Sequence, residues 1–132
     1  MARNLASIAR SHGLVLLIAA DPELAQRVGA AGVHWPQARL PHARGGGLVT
    51  VAAHDGASLA RAANFGADAC LLAPVLPTQS SSGNAPLGLF RAGQLAQSSS
   101  VPVIALGGIN ADTAKRLAGR GFAGCAGVEA FA

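Results

Sequence analysis

His54 follows the apolar run Leu48-Val-Thr-Val-Ala52, Gly107-Gly108 follows Val101-Pro-Val-Ile-Ala-Leu106, and Glu129 follows Gly124-Cys-Ala-Gly-Val128. Each stands at the carboxyl end of a short apolar segment. An imidazole that titrates near neutrality suits proton shuttling. Paired glycines leave backbone amides open to an anion. A carboxylate in the same place can act as acid or base, or repel an anion. Each residue also has a plainer role. His54 can cap the helix that follows, Gly107-Gly108 can turn the chain tightly, and Glu129 can simply end a strand. Trp35, the single tryptophan, stacks on a heteroaromatic ring or fills space above the sheet. His34 lies between Val33 and Trp35 and reads as packed, whereas His12 and His42 read as solvent-facing.

Those residues need elements that bring them to one place. Leu14-Val-Leu-Leu-Ile18 is continuously apolar, as a strand covered on both faces would be. Asp21-Pro22 starts a helix that ends near Gly29. Gly32 to Trp35 and Leu48 to Ala52 read as strands. Asp55 or Ser58 caps a helix that stops at Phe65-Gly66. Ala69 to Leu72 is a strand, Leu89 to Gln97 a helix, and Val101 to Leu106 a strand. Asn110 caps a helix to Arg120, and Gly124 to Val128 is the last strand. Alternation at this spacing predicts parallel βαβ units with six strands. A helix from Asn4 to Ser11 precedes them. The loops at strand C-termini carry the polar residues named above, and that is the end where parallel α/β folds hold ligands. The stretch LLAPVLPTQSSSGNAPLGL, residues 71–89, lies at this end. It reads as a flexible lid with Ser80-Ser81-Ser82 at its tip.

Composition narrows the classes. The chain has 132 residues, enough for a single domain with a real core. Its formal net charge is +4, but the cations are scattered and no basic run is interleaved with aromatics, which argues against nucleic acid and allows a mild preference for anionic small molecules. No apolar stretch is long enough to span a membrane, and Met1-Ala-Arg-Asn does not lead into a signal peptide, so the chain reads as cytoplasmic. Cys70 and Cys125 have no metal-ligand spacing and read as two buried thiols.

Several segments in order resemble the thiamine phosphate synthase / TenI family. They are Gly32-Val-His-Trp-Pro-Gln37, Val51-Ala-Ala-His54, Gly66-Ala-Asp-Ala-Cys-Leu-Leu-Ala-Pro-Val-Leu-Pro-Thr78, Pro86-Leu-Gly-Leu89 and Pro102-Val-Ile-Ala-Leu-Gly-Gly-Ile109. The resemblance implies an α/β fold, an incomplete (β/α)8 TIM barrel of about six parallel strands, in one domain over residues 1–132. The family's first two strands and last helix would be missing, so a homo-oligomer, an upstream segment or a partner chain would have to cover the open sheet edges. A six-stranded open doubly wound sheet is the alternative that periodicity allows.

The resemblance also implies a phosphorylated thiazole-type or thiamine phosphate-like ligand at the strand C-termini. Its phosphate would sit on Gly107-Gly108 and the loop after the last strand, at Glu129. Gln37, Thr78 and Trp35 would contact the ligand, and His54 would be the acid/base of a thiazole tautomerase. The sequence departs from the synthase pattern. Ala19-Ala20 stands where the family has Asn-Asp, Arg39 where it has Asp, Ala52 and Glu129 where it has Ser, and Ser80 to Ser82 where it has Lys. Mg²⁺ and a diphosphate need hard oxygen ligands and cations that these positions lack. The expectation is therefore a tautomerase with no metal and no cofactor. The alternatives are a non-catalytic ligand-binding or regulatory relative, or an inactive fragment of a synthase.

Overall fold

The computed structural model describes residues 1–79 and 83–128. In chain order these form α1 (Ala2–Ser11), β1 (Leu17–Ala19), α2 (Pro22–Val28), β2 (Gly32–Trp35), β3 (Leu48–Ala53), α3 (Gly56–Phe65), β4 (Ala69–Leu72), α4 (Leu89–Ser98), β5 (Val103–Ala105) and β6 (Gly124–Cys125). Short 3₁₀ turns occupy Gln37–Arg39 and Ala114–Leu117.

Local chemistry sets several boundaries. Asp21 accepts a hydrogen bond from the Leu24 amide at 2.8 Å, Pro22 takes the first helical position, and Gly29 ends α2 in the left-handed region. At α3 the two candidate caps act together. The Ser58 amide donates to the Asp55 carboxylate at 2.7 Å, and the Asp55 amide donates to the Ser58 hydroxyl at 3.0 Å. Such reciprocal pairing satisfies two backbone donors that a bare helix start leaves open.

All six strands run parallel in one sheet, in the order β1-β2-β3-β4-β5-β6. A doubly wound sheet reverses its strand order part-way; this one never does. Right-handed crossovers repeated in one direction put every helix on the same face, as in the wall of a barrel. Burial follows that rule. Trp35, Val51, Cys70 and Val103 form one register row and are all buried. Val33, Val49, Ala53, Leu72 and Ala105 complete the helix-covered face. His34, Ala52, Leu71 and Ile104 point to the other face and are half-buried, while Thr50 beside them is buried. The strands are thus covered on one side, not on both.

Four expectations need correction. The first strand is Leu17–Ala19, not Leu14 to Ile18, and Leu14 and Val15 are exposed. The end of α1 explains this. Gly13 takes a positive φ of 64° and the Leu14 amide bonds back to the Ala9 carbonyl at 2.8 Å, so the chain closes the helix before it can join the sheet. The expected helix from Asn110 to Arg120 is only a 3₁₀ turn over Ala114–Leu117. Asn110 does accept from the Asp112 and Thr113 amides, both at 2.9 Å, but Ala118 turns extended and Gly119 takes a positive φ, which stops the helix. The last strand is two residues long, and Val128 is exposed. Cys125 lies on that short edge strand and is exposed, whereas Cys70 is buried as expected.

The stretch after β4 is also better anchored than its composition suggests. Pro74, Val75 and Leu76 are buried. The Val75 amide donates to Leu106 O at 2.9 Å and the Leu76 amide to Gly107 O at 3.1 Å, extending the ladder with β5. Leu87 and Gly88 return to bond Pro74 O and Val75 O, each at 2.9 Å. Ser80 to Ser82, the proposed tip of the lid, lie outside the described residues.

Candidate functional site

The C-terminal end of β3 delivers His54 to the rim. Its amide donates to the Ser58 hydroxyl at 2.8 Å, so the α3 capping box also fixes the backbone at His54. Its imidazole Nδ1 lies 2.9 Å from the carbonyl oxygen of Ala73, just past β4. A carbonyl only accepts, so Nδ1 carries a proton, and in the neutral ring Nε2 is then the nitrogen with the lone pair. Nε2 has no hydrogen-bond partner among the described residues.

His54 lines an open cleft of about 550 Å³ together with Pro36, Gln37, Ala38, Ala52 and Arg61. Gln37 and His54, both singled out in the sequence, therefore meet. Arg61 was not. The signal available was its spacing, three residues beyond Ser58 on α3, which places it one turn along from the residue that holds His54. Arg61 makes no hydrogen bond or ion pair among the described residues. The nearby Asp55 is engaged by the Ser58 amide and hydroxyl, at 2.7 and 2.8 Å. Those two bonds, the amide first, hold the Asp55 carboxyl below its ordinary range, with Arg61 and His54 adding smaller electrostatic contributions.

Gly107 and Gly108 follow β5 and are half-buried. Their φ angles are +97° and +67°. A Cβ on Gly107 would come within 2.7 Å of Pro74 Cα, and one on Gly108 within 2.5 Å of Pro77 O. The tight-turn role is therefore real: only glycine fits beneath the Pro74–Pro77 segment. Their amides donate to no backbone acceptor among the described residues, while Gly108 O accepts from the Thr113 hydroxyl at 2.9 Å. Both roles, turn and open amides, coexist. Through Ala73-Pro74, one short segment touches His54 on one side and Gly107 on the other.

The remaining candidates fall elsewhere. Trp35 is buried in the core on the helix-covered face, does not line the cleft, and has an unpartnered indole Nε1. Thr78 is half-buried in the segment after β4. Glu129 lies outside the described residues. His34 is half-buried on the open face, its Nδ1 2.8 Å from the Thr50 hydroxyl, and burial pushes its pKa down. His12 and His42 are exposed.

The donor set does not suit Mg²⁺. Among the described residues no group of three or more His, Cys, Asp or Glu side chains converges. Arg39 is exposed in the 3₁₀ turn after β2, and the chain turns at Ala20 with a positive φ of 49°. A cation and an alanine cannot replace hard carboxylate ligands. No described helix is long and apolar enough to cross a membrane.

Sequential parallel strands, helices on one face and a polar rim at the strand C-termini define a protein of the (β/α)-barrel class. Comparison with known proteins narrows this. The sequence profile of the thiamine monophosphate synthase family matches residues 1–131. The chain is 35% identical over 122 residues to the thiamine-phosphate synthase of Thioalkalivibrio sulfidiphilus, covering 86% of this chain and 57% of that protein. It is 29% identical over 136 residues to the putative thiamine-phosphate synthase 2 of Aquifex aeolicus, covering 99% and 73%. Its fold is similar to the thiamine phosphate pyrophosphorylase of Pyrococcus furiosus, with a TM-score of 0.81 at 23% identity over 96% of this chain and 63% of that one. The chain belongs to the thiamine monophosphate synthase family, a family of thiamine biosynthesis. It spans less than two thirds of the Thioalkalivibrio and Pyrococcus proteins.

Proposed function

We propose that this chain binds a phosphorylated thiazole-type molecule at the strand C-termini and, through His54, acts as a metal-independent thiazole tautomerase. The observation that carries the reading is the His54 Nδ1–Ala73 O contact of 2.9 Å, which leaves Nε2 as the free base beside the cleft. The Gly107 and Gly108 amides supply the phosphate seat, and Gln37 contributes a hydrogen bond from the cleft wall.

The step balances without a metal or oxidant. Nε2 takes a proton from a carbon beside the electron-withdrawing ring, and the electron pair left behind delocalises into that ring. The imidazolium returns the proton at the other position of the tautomer, restoring neutral His54. Ala73 O holds the same Nδ1–H throughout, so the ring need not reorient between the two transfers. Thr78 and Glu129 remain as further ligand contacts in this reading, Trp35 does not because it is buried in the core on the helix-covered face, and the setting is cytoplasmic. A second copy of the chain covering the β1 and β6 edges belongs to it as well.

The rival reading is a ligand-binding relative without turnover, favoured by Ala52 in the cleft wall and Arg39 beyond it. One experiment separates them. Thermal shift with a thiazole carboxylate phosphate reports binding, and NMR of the same mixture reports interconversion of its tautomers. Binding with interconversion that His54→Asn abolishes supports the tautomerase. Binding with no interconversion, or with interconversion that His54→Asn leaves untouched, overturns it.

A further inference from the structure

The outer edge of β1 lacks the devices that keep sheet edges apart. Leu16 O accepts from the Ala31 amide and the Ala20 amide donates to His34 O, both at 2.9 Å, so the backbone groups of these alternate residues face β2. Those of Leu17 and Ala19 therefore face away from the sheet, where β1 ends the strand order. Edges are commonly blunted by a charge, a proline or a very short strand. The stretch Gly13-Leu-Val-Leu-Leu-Ile-Ala-Ala20 holds neither charge nor proline. The opposite edge is protected by its length, since β6 is only Gly124–Cys125.

Apolar surface gathers beside this edge. Leu14 and Val15, which lead into β1, are 64% and 68% exposed. Leu5 and Ile8, one turn apart on α1, are 48% and 52% exposed. The Leu14 amide ties the segment to Ala9 O near the end of α1, and α1 itself packs on α2. Arg10 reaches Val28 O at 3.4 Å, which holds its charge at α2. Nucleic acid or an anionic membrane would need cations across the contact, and residues 11–20 contain no Lys, Arg, Asp or Glu. A second copy needs no counter-charge there and brings no like charge.

We propose that two copies of this chain associate through β1, edge to edge and antiparallel, about a two-fold axis at Ile18. Leu17 then pairs with Ala19 of the partner subunit, and every outward amide of the strand finds a carbonyl. Leu14 and Val15 at the strand's start, with Leu5 and Ile8 of α1, supply the apolar contact beside the ladder. A contact of this symmetry closes on itself, so association stops at the dimer. A standard interface takes about 800 Å² from each partner, about a tenth of this chain's 7833 Å² surface. The inference deepens the second-copy reading above by assigning it to one edge, and it does not depend on the ligand.

The test is sedimentation velocity over a dilution series, on wild type, Val15→Lys, Ala19→Pro and Cys125→Lys. Val15→Lys sets two charges against each other at the contact, and Ala19→Pro removes one outward amide without touching a bond to β2. Circular dichroism checks that each variant keeps the fold. The expected result is a wild-type dimer whose dissociation constant rises about tenfold or more in the two β1 variants. Cys125→Lys, on the β6 edge, leaves it unchanged. Hydrogen exchange of the wild type needs no variant: the Leu17 and Ala19 amides should be protected at high concentration and lose that protection on dilution. A dimer that both β1 variants leave intact, that Cys125→Lys dissolves instead, or in which those amides exchange freely overturns the β1 assignment and leaves the second-copy reading standing. A wild type that stays monomeric throughout leaves the edge to a different chain and overturns both. None of these outcomes bears on ligand binding, which the thermal shift reports separately.

Discussion

His54 Nδ1 and the carbonyl oxygen of Ala73 sit 2.9 Å apart, joining the end of β3 to the segment that follows β4. The contact sets the tautomer of the imidazole and leaves the base pointing away from the protein's own acceptor. It predicts a separable defect. With the proposed tautomerase activity, His54→Asn should lower the rate of tautomer interconversion by about 10²–10⁴, with ligand affinity nearly unchanged. NMR turnover and calorimetric titration of the same preparation check the two halves of that statement.

Gly107 and Gly108 should be intolerant of even one methyl group. Their φ angles are positive, and the added Cβ would meet Pro74 or Pro77 backbone at 2.7 and 2.5 Å. Gly108→Ala is expected to cost more than the ~1–3 kcal/mol of a strained left-handed residue alone, read as a lower urea midpoint. Gly83→Ala, where φ is +71° but no atom lies within 4 Å, is the control that isolates the strain from the clash. It should cost less.

The two thiols should behave differently. Cys70 is buried and burial raises its pKa, so little thiolate forms. Cys125 is exposed on the edge strand. A thiol reagent should modify one cysteine quickly in the native protein and the second only in denaturant. Mass spectrometry should place the fast label on Cys125, and fast labelling of Cys70 would contradict the packing of the β2–β5 row.

His34 makes the protein less stable in mild acid. Its folded pKa lies below the ordinary 6.5 because burial disfavours the cation. The unfolded chain therefore binds a proton first as pH falls through about 6.5, which favours unfolding. Stability is full above that value and declines as pH drops from it toward the folded pKa. His34→Gln should flatten this part of the pH profile of the urea midpoint.

Asp55 acts at lower pH with the opposite cause. Its folded pKa is depressed below 3.8, chiefly by the Ser58 amide. Its contribution is present above the unfolded value and is lost as pH falls through the folded one. Asp55→Ala should cost about 1 kcal/mol at neutral pH, the usual worth of a helix cap. The deficit should shrink below pH 3.8, where wild type loses the same interaction.

Much of the fold was legible because it is local. Asp21, Pro22 and Gly29 bound α2 by their own conformational preferences, and Asp55 with Ser58 does the same for α3. The β-rich runs at 32–35 and 69–72 became strands with the boundaries that composition suggested. The misplaced starts and stops were decided by bonds to distant or helix-terminal atoms. Leu14 is as apolar as any strand residue, yet its amide closes α1. The Asn110 cap is present, but a cap cannot lengthen a helix that Ala118 and Gly119 break.

The sequence by itself determined the alternation of elements, the parallel sheet, and which residues reach the strand C-termini, since hydrophobic period and turn chemistry are properties of neighbours in the chain. Tertiary structure alone decided which rim residues meet. Strand alternation turns Trp35 into the core while His34 beside it faces the open side. Arg61 joins Gln37 and His54 because α3 folds back along β3. The His54 tautomer is set by Ala73, 19 residues away in sequence. Such contacts depend on register and packing between strands, and no local pattern of residue types encodes them.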